Sequence, residues 1–292
     1  MSAGTASATR GPGMGRGPSA WWAESLRRER TLTLLAAFMV LAMVPTAIAL
    51  GLDERTFRGL SVWAKPMKFM ASLALFSATT AWFFDLLPTS RRHATPLRVL
   101  VWTMVVASLL EVGYISLQAG LGQASHYNRA DSLHMALYPV MGLLALSLML
   151  TQPLLAWQIV RHGRSDVAPA WRDAVVLGLV MTFVLGVGAA VPLSAAQPPA
   201  GAGTLLFGWH LGGGDLRPAH FIGSHAQQLV PLAGWLLWRV CSHRPSGARE
   251  RAPGYAQGRA RLSLALFAAA YSGLWLAALL RGIEGAQWTA MR

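Results

Sequence analysis

Residues 177–196 read LGLVMTFVLGVGAAVPLSAA, a stretch without a single charged side chain. An α-helix of this length is about 30 Å long, which matches the hydrocarbon core of a bilayer. Lipid offers the backbone no hydrogen-bond partner, so a segment that crosses it must be helical. The stretch therefore predicts a membrane-spanning helix within a longer apolar run over 173–196.

Comparable apolar runs recur along the whole chain. Apolar residues make up 54% of the sequence and charged residues 13%, about half of what soluble domains carry. A soluble all-helical protein would need polar helix faces, which these runs lack. The sequence predicts an all-α polytopic membrane protein in which residues 21–292 form one domain with seven transmembrane helices. The predicted spans are 32–51, 67–87, 98–120, 134–160, 173–196, 219–241 and 262–281.

The distribution of charge predicts the orientation. The net charge is +13, and most of the 25 lysines and arginines fall on one side of the predicted spans if the N-terminus is cytoplasmic. This bias follows the positive-inside rule and explains the basic residues without nucleic acid. We expect a bacterial inner-membrane protein with the bilayer as its partner, the C-terminus outside and a disordered tail over 1–20, which is rich in Gly, Ser and Pro.

The two lysines of the chain, Lys65 and Lys68, lie at the outer start of the second span. A cation in the first turn of a helix opposes the helix dipole at a cost of about 0.3–1 kcal/mol. Two interpretations remain open. The lysines either extend to the interface and contact water or lipid phosphate, or they surround an anionic group, and Arg217 repeats the arrangement at the sixth span.

The third span carries polar residues on one helix face, at Glu111, Tyr114 and Gln118. Glu111 is expected roughly 10 Å below the outer boundary of the hydrocarbon core. Ionisable groups at such depth usually face the bundle interior or a cavity and have a partner. Glu111 is therefore either half of a structural interaction between helices or a ligand- or proton-binding group. His126 and Asn128 follow in the sequence and are expected at the outer end of the same span.

Two acidic residues precede helices on the outer side. Asp131, or the serine after it, is expected to cap the fourth helix and to place His134 in its first turn. Asp215 is expected to cap the sixth helix, on which His220 follows and His225 points to a different face.

A short internal similarity links two of the spans. Residues 65–69 (KPMKF) and 217–221 (RPAHF) share the order base, proline, any residue, base, phenylalanine. Both open helices that run inward, as parallel repeats in some transporters do. The similarity is five positions long.

The stretches 63–69 (WAKPMKF), 111–118 (EVGYISLQ), 125–128 (SHYN) and 215–221 (DLRPAHF) resemble a group of uncharacterised bacterial multi-pass membrane proteins. The resemblance runs from the second span to the sixth. It implies that these residues matter, and it carries no activity with it.

Two functions remain open. The first is an outward-facing pocket that binds or transports a small anionic or polar solute. The second is a membrane-embedded enzyme or a metal- or haem-binding protein that uses the outer-face histidines and Glu111, although HExxH and CxxCH spacings are missing. The cofactor is left undetermined. The predicted site consists of Lys65, Lys68, Glu111, Tyr114, Gln118, His126, Asn128, Asp215, Arg217, His220 and His225.

Overall fold

The computed structural model describes residues 17–128, 131–201, 203–204, 207–242 and 253–288. Its helices are α1 (Pro18–Arg28), α2 (Arg30–Leu52), α3 (Ala64–Phe83), α4 (Thr95–Gly120), α5 (Ser132–His162), α6 (Pro169–Ala195), α7 (Arg217–Ser224), α8 (Ala226–Ser242) and α9 (Pro253–Ile283). Short 3-10 turns follow α3 at Phe84–Leu86 and Thr89–Arg91. Residues 1–16 of the tail predicted to be disordered lie outside the described residues, and α1 begins at Pro18.

Among the described residues, six helical segments are long and apolar enough to cross a membrane. They are Arg30–Leu52, Ala64–Leu86, Thr95–Gly120, Ser132–His162, Pro169–Ala195 and Gln257–Ile283. Their outward faces are apolar as well. Leu41, Leu143 and Leu266, from three different helices, are 68%, 66% and 64% exposed. Helices that are apolar all round suit a lipid environment. The prediction of a helical membrane protein is confirmed for these six segments.

The predicted span over 219–241 is not one helix. It is divided into α7 and α8 at Ser224–His225. Gly223 packs directly against α6, because a Cβ at this position would lie 2.5 Å from the carbonyl carbon of Leu185. The N–H of Gln227 then binds Thr182 Oγ1 at 2.7 Å instead of a carbonyl one turn earlier. Contacts with α6 thus replace hydrogen bonds of the helix, and the prediction of a continuous helix is wrong here.

The part of the chain that the structure describes contains four short strands, which lie at one end of the bundle that we call the strand end. β1 (Thr56–Phe57) and β2 (Leu60–Ser61) form an antiparallel hairpin. Its two loop residues, Arg58 and Gly59, have φ of 53° and 79°, as a type I′ turn requires. β3 (Ala196–Gln197) pairs with β4 (Gln287–Trp288) and joins the end of α6 to the end of α9.

The opposite end is held by arginines around one aspartate. Asp85 accepts hydrogen bonds from Arg92 and Arg164, each at 3.3 Å. The buried guanidinium of Arg28 lies 3.7 Å from the same carboxylate and 3.6 Å from the centre of the Trp82 ring. These arginines therefore join α1, the segment before α4 and the segment after α5 to the 3-10 turn that follows α3, in addition to the role in orientation that the sequence predicts.

Candidate functional site

Lys65 lies in the first turn of α3 and is half-buried. Its Nζ donates a hydrogen bond to Ser125 Oγ at 2.6 Å and lies 3.0 Å from His126 Nδ1. Both partners come from the loop that follows α4. An ammonium group can only donate, so Nδ1 of His126 accepts and the ring proton is on Nε2.

Glu111 lies on the other side of the His126 ring. Its Oε2 is 3.7 Å from His126 Nε2, and the residue is 4% exposed. Neither carboxylate oxygen has a hydrogen-bond partner among the described residues. A buried carboxylate in this state is unusual, because desolvation without hydrogen bonds is costly. Lys65, Ser125, His126 and Glu111 form a connected group that we call the lysine–glutamate cluster.

Burial of His126, followed by the positive charge of Lys65, lowers the pKa of the imidazole from its ordinary 6.5 to about 3. Between these values the unfolded chain takes up a proton that the folded chain does not. The contribution of His126 to the free energy of unfolding is therefore complete above pH 6.5 and decreases as the pH falls towards 3. We expect His126→Gln to reduce this acid-dependent loss, measured as unfolding temperature against pH in detergent. His93→Gln, which changes an exposed histidine at the opposite end, should leave the pH profile as it is.

Lys68 lies one turn further along α3 and is also half-buried. Its Nζ donates to the backbone carbonyl of Phe207 at 3.0 Å. The ring of Phe207 stacks on Trp209 with a centroid distance of 4.4 Å, which fixes this segment. The loop before α7 thus supplies an acceptor that is backbone, not side chain.

Arg217 and Asp215 satisfy each other at the start of α7. Both oxygens of the buried Asp215 accept hydrogen bonds from the guanidinium, at 2.8 and 2.6 Å, and Oδ1 also accepts from the Arg217 N–H at 3.0 Å. Burial alone would raise the pKa of Asp215, but the hydrogen bonds from Arg217 and from the His210 N–H lower it overall. The N-cap position of α7 is residue 216, one later than predicted, but the carboxylate of Asp215 accepts the first N–H of the helix, as the prediction requires of a capping residue.

Arg217 contributes charge to the site, and its Nε and Nη2 atoms already have acceptors. Its guanidinium also donates to the Gly208 carbonyl at 2.6 Å. It lies close enough to Lys65 and Lys68 to act on both electrostatically.

The two histidines of the broken helix take different positions. His220 Nδ1 lies 3.2 Å from the carbonyl of Gly186 on α6, and the ring acts electrostatically on His126. His225, at the break, contacts Ser72 on α3 through Nε2 at 3.1 Å. His220 therefore belongs near the lysine–glutamate cluster, while His225 joins α3 to the junction of α7 and α8.

Gln118 forms a separate pair away from Lys65. Its Nε2 lies 2.9 Å from His134 Nε2, and His134 Nδ1 lies 2.7 Å from Asp131 Oδ2. Asp131 caps α5 as predicted, since Oδ1 accepts the N–H of His134 at 2.9 Å. Tyr114 is half-buried on α4, and Asn128 is buried in the loop that follows α4.

Some residues near the site have no individual sequence signal. The hydroxyl of Tyr127 donates to the Leu193 carbonyl, and Tyr138 donates to the Ser194 carbonyl at 2.6 Å, so both tyrosines fix the end of α6. Tyr127 has φ of 63°, which no pattern in the sequence predicts.

The structure offers little that favours a metal centre at the predicted histidines. Within the described ranges, no three His, Cys, Asp or Glu side chains come together in a group that could hold a metal ion. The histidines instead contact a mixed set of groups, which includes Lys65, Glu111, Gln118, Asp131, Ser72 and the carbonyls of Gly186 and Gly201.

A groove of about 710 Å³ lies elsewhere on the molecule, between α4 and α5. Its lining includes Arg98, Trp102, Leu144 and Ser147 and shares no residue with the lysine–glutamate cluster. It opens on the outer faces of the two helices, where lipid is expected, so we do not assign the site to it.

No family model, curated protein or solved structure matches this chain.

Proposed function

We propose that the chain binds a small anion, of the carboxylate or phosphate type, at the strand end and carries it across the membrane. The observation that carries this proposal is the state of the two lysines. Both lysines are half-buried, and the described residues place no carboxylate oxygen within 4.0 Å of either ammonium group. Their acceptors are a hydroxyl, a histidine nitrogen and a carbonyl.

Two buried arginines and the half-buried Arg217 provide the contrast. Arg28 and Arg92 reach the carboxylate of Asp85, and Arg217 binds Asp215. A charge removed from water is unfavourable unless an opposite charge compensates for it. For the lysines, one negative charge is that of Glu111, which contacts His126 and acts on Lys65 from more than 4.0 Å away. A bound anion would supply the rest.

The pairing of β3 with β4 supports a seventh crossing. It holds the ends of α6 and α9 together on one side of the membrane. The chain between these two ends would then cross the membrane an even number of times. Since α9 contains one candidate span, α7 and α8 together make the other. A crossing built from a broken helix is a known feature of transporters, whose substrate sites lie at such breaks.

The arginine distribution supports an orientation with the strand end outside. Arg91, Arg92, Arg161 and Arg164 lie in short segments at the opposite end, as the positive-inside rule requires of the cytoplasmic side. The anion site would then open to the outside.

Glu111 is suited to couple binding to protons, because its carboxylate faces the same histidine that contacts Lys65. We expect Glu111→Gln to abolish the stimulation of phosphate uptake by an inward proton gradient in proteoliposomes. The control is Glu284→Gln, an exposed carboxylate at the same end, which should leave the stimulation unchanged. Stimulation that persists in Glu111→Gln would show that Glu111 is not the coupling group.

The proposed function itself is tested by thermal unfolding of the detergent-purified protein in increasing inorganic phosphate, acetate or glycerol at constant ionic strength. A ligand at one hundred times its Kd stabilises the folded state by about 2.7 kcal/mol. We expect a saturating rise in unfolding temperature with at least one of the two anions and none with the neutral glycerol. No saturating rise with either anion would contradict the proposal. Binding without uptake into proteoliposomes would contradict the transport step alone.

A further inference from the structure

The groove of about 710 Å³ between α4 and α5 lies apart from the lysine–glutamate cluster and opens on the outer faces of the two helices. On α4 its wall includes Arg98, Trp102 and Val106, which are four residues apart and therefore share one helix face. Leu144 and Ser147 on α5 line the other side. Small-molecule sites occupy about 300–1,000 Å³, so the groove is large enough to hold a ligand.

The length of the groove matches one leaflet of a bilayer. Arg98 lies in the first turn of α4, at the end of the bundle opposite to the strand end. Ala107, at the far end of the α4 wall, lies about 14 Å further along the helix at 1.5 Å per residue. One leaflet is half of a hydrocarbon core about 30 Å thick, or about 15 Å. Val99, Trp102 and Val106 are exposed between these two positions. The wall thus has the length and the apolar character that suit one acyl chain of a single leaflet.

Arg98 supplies the charge of the groove. The described lining contains no acidic side chain, and no described residue provides an acceptor for the exposed guanidinium of Arg98. Arg92 and Arg164 at the same end differ, because both bind Asp85. A guanidinium presents its donors in a planar fork that fits two oxygens of a phosphate group. The polar end of the groove therefore suits a phosphate, and the rest suits an acyl chain.

We propose that this groove binds one phospholipid with a net negative head group, whose phosphate contacts Arg98 and whose acyl chain lies along Trp102, Val106 and Leu144. Basic pockets between membrane-spanning helices bind such head groups on the cytoplasmic side. A zwitterionic lipid such as phosphatidylethanolamine brings a cation that requires an acceptor, and the described lining offers it no carboxylate. Phosphatidylglycerol brings no cation. The inference goes beyond the proposed function, because the groove shares no residue with the solute site.

Native mass spectrometry of the full chain in detergent tests the preference for the head group. The probes are phosphatidylglycerol and phosphatidylethanolamine with identical acyl chains, each titrated separately. We expect the first phosphatidylglycerol to bind at least about fivefold more tightly, since one arginine near the membrane surface contributes about this factor towards an anionic lipid. Inorganic phosphate should not displace the lipid, because it has no acyl chain. Equal affinities for the two lipids, or displacement by inorganic phosphate, would overturn the proposal.

The role of Arg98 is tested by Arg98→Gln, which removes the charge from an exposed position. The preference for phosphatidylglycerol should fall below about twofold. The matched control is Arg30→Gln, which removes an exposed arginine from the first turn of α2 at the same end of the bundle and should leave the preference unchanged. An unchanged preference in Arg98→Gln, or an equal loss in both variants, would show that the groove does not select the lipid.

The position of the acyl chain is measured on the wild-type protein, so this test does not depend on a variant that folds. The protein is reconstituted in phosphatidylcholine vesicles with a trace of phosphatidylglycerol that carries a photoreactive diazirine on one acyl chain. Mass spectrometry identifies the labelled peptides. We expect labelling enriched over residues 99–107 and 144–147, and reduced by added phosphatidylglycerol but not by phosphatidylethanolamine. Labelling spread equally over the exposed faces of α2 and α9 would contradict binding in the groove.

Discussion

Replacing Lys65 with methionine is expected to weaken binding of inorganic phosphate or acetate by about 30-fold or more, since truncating one partner of a buried charge pair costs about 2–5 kcal/mol. Methionine keeps the length of the apolar stem and removes the charge. The change also leaves Glu111 without the nearest cation and His126 without its donor. Isothermal titration of the purified variants measures the affinity.

Two variants control for this result. Arg281→Gln removes a cation at the same end of the bundle whose side chain is 61% exposed, and it should change affinity little, because solvent screens exposed charges. Lys65→Arg keeps the charge but replaces a compact ammonium with a planar fork, and we expect an intermediate loss. Equal affinities for Lys65→Met and wild type would place the anion elsewhere.

The second large effect concerns the junction of α6 and α7. We expect Gly223→Ala to destabilise the protein by about 1–3 kcal/mol or more, the usual cost of overpacking. The added Cβ would lie 2.5 Å from the carbonyl carbon of Leu185 and 2.6 Å from the N atom of Gly186, and backbone cannot move aside as a flexible side chain can. Because His220 contacts the Gly186 carbonyl, displacement of α7 should also weaken anion binding. Thermal unfolding and titration measure the two effects.

Gly113→Ala provides the matched control for that substitution. Gly113 lies within α4, two residues from Glu111, and nothing lies within 4 Å of a Cβ built there. Alanine favours helix over glycine by about 0.5–1 kcal/mol, so stability should stay equal or rise. A loss at Gly113 as large as that at Gly223 would show that close packing against α6 is not the cause.

The apolar runs predict six of the helical segments well, because the thickness of lipid fixes both the length and the composition of a span. The break at Ser224–His225 is not predictable in the same way. It depends on Gly223 meeting the backbone of α6 and on Thr182 accepting a hydrogen bond, and both partners are distant in sequence.

For the candidate site, sorting polar residues by predicted topology brought Lys65, His126 and Glu111 to one side, and the structure connects them. Which residues pair with each other did not follow. Gln118 binds His134 although it shares a helix face with Glu111, and Asp215 binds the guanidinium of Arg217 in addition to the first N–H of α7. Helical periodicity gives the face of a side chain, but its partner depends on neighbouring helices and loops.

Backbone acceptors are the part of the site that no residue pattern could predict. Lys68 donates to the carbonyl of Phe207, and His220 contacts that of Gly186. Every residue has a backbone carbonyl group, so the identity of a residue carries no information about whether its carbonyl faces a site.

The most direct test of the anion site is a crystal structure of the protein in selenate, an anion of the phosphate and sulfate type whose selenium scatters anomalously. We predict an anomalous peak between Lys65 and Lys68 at the start of α3, with selenate oxygens about 2.7–3.2 Å from the two Nζ atoms. Ammonium groups of Lys65 and Lys68 directed towards the lipid head groups, with no peak between them, would contradict it.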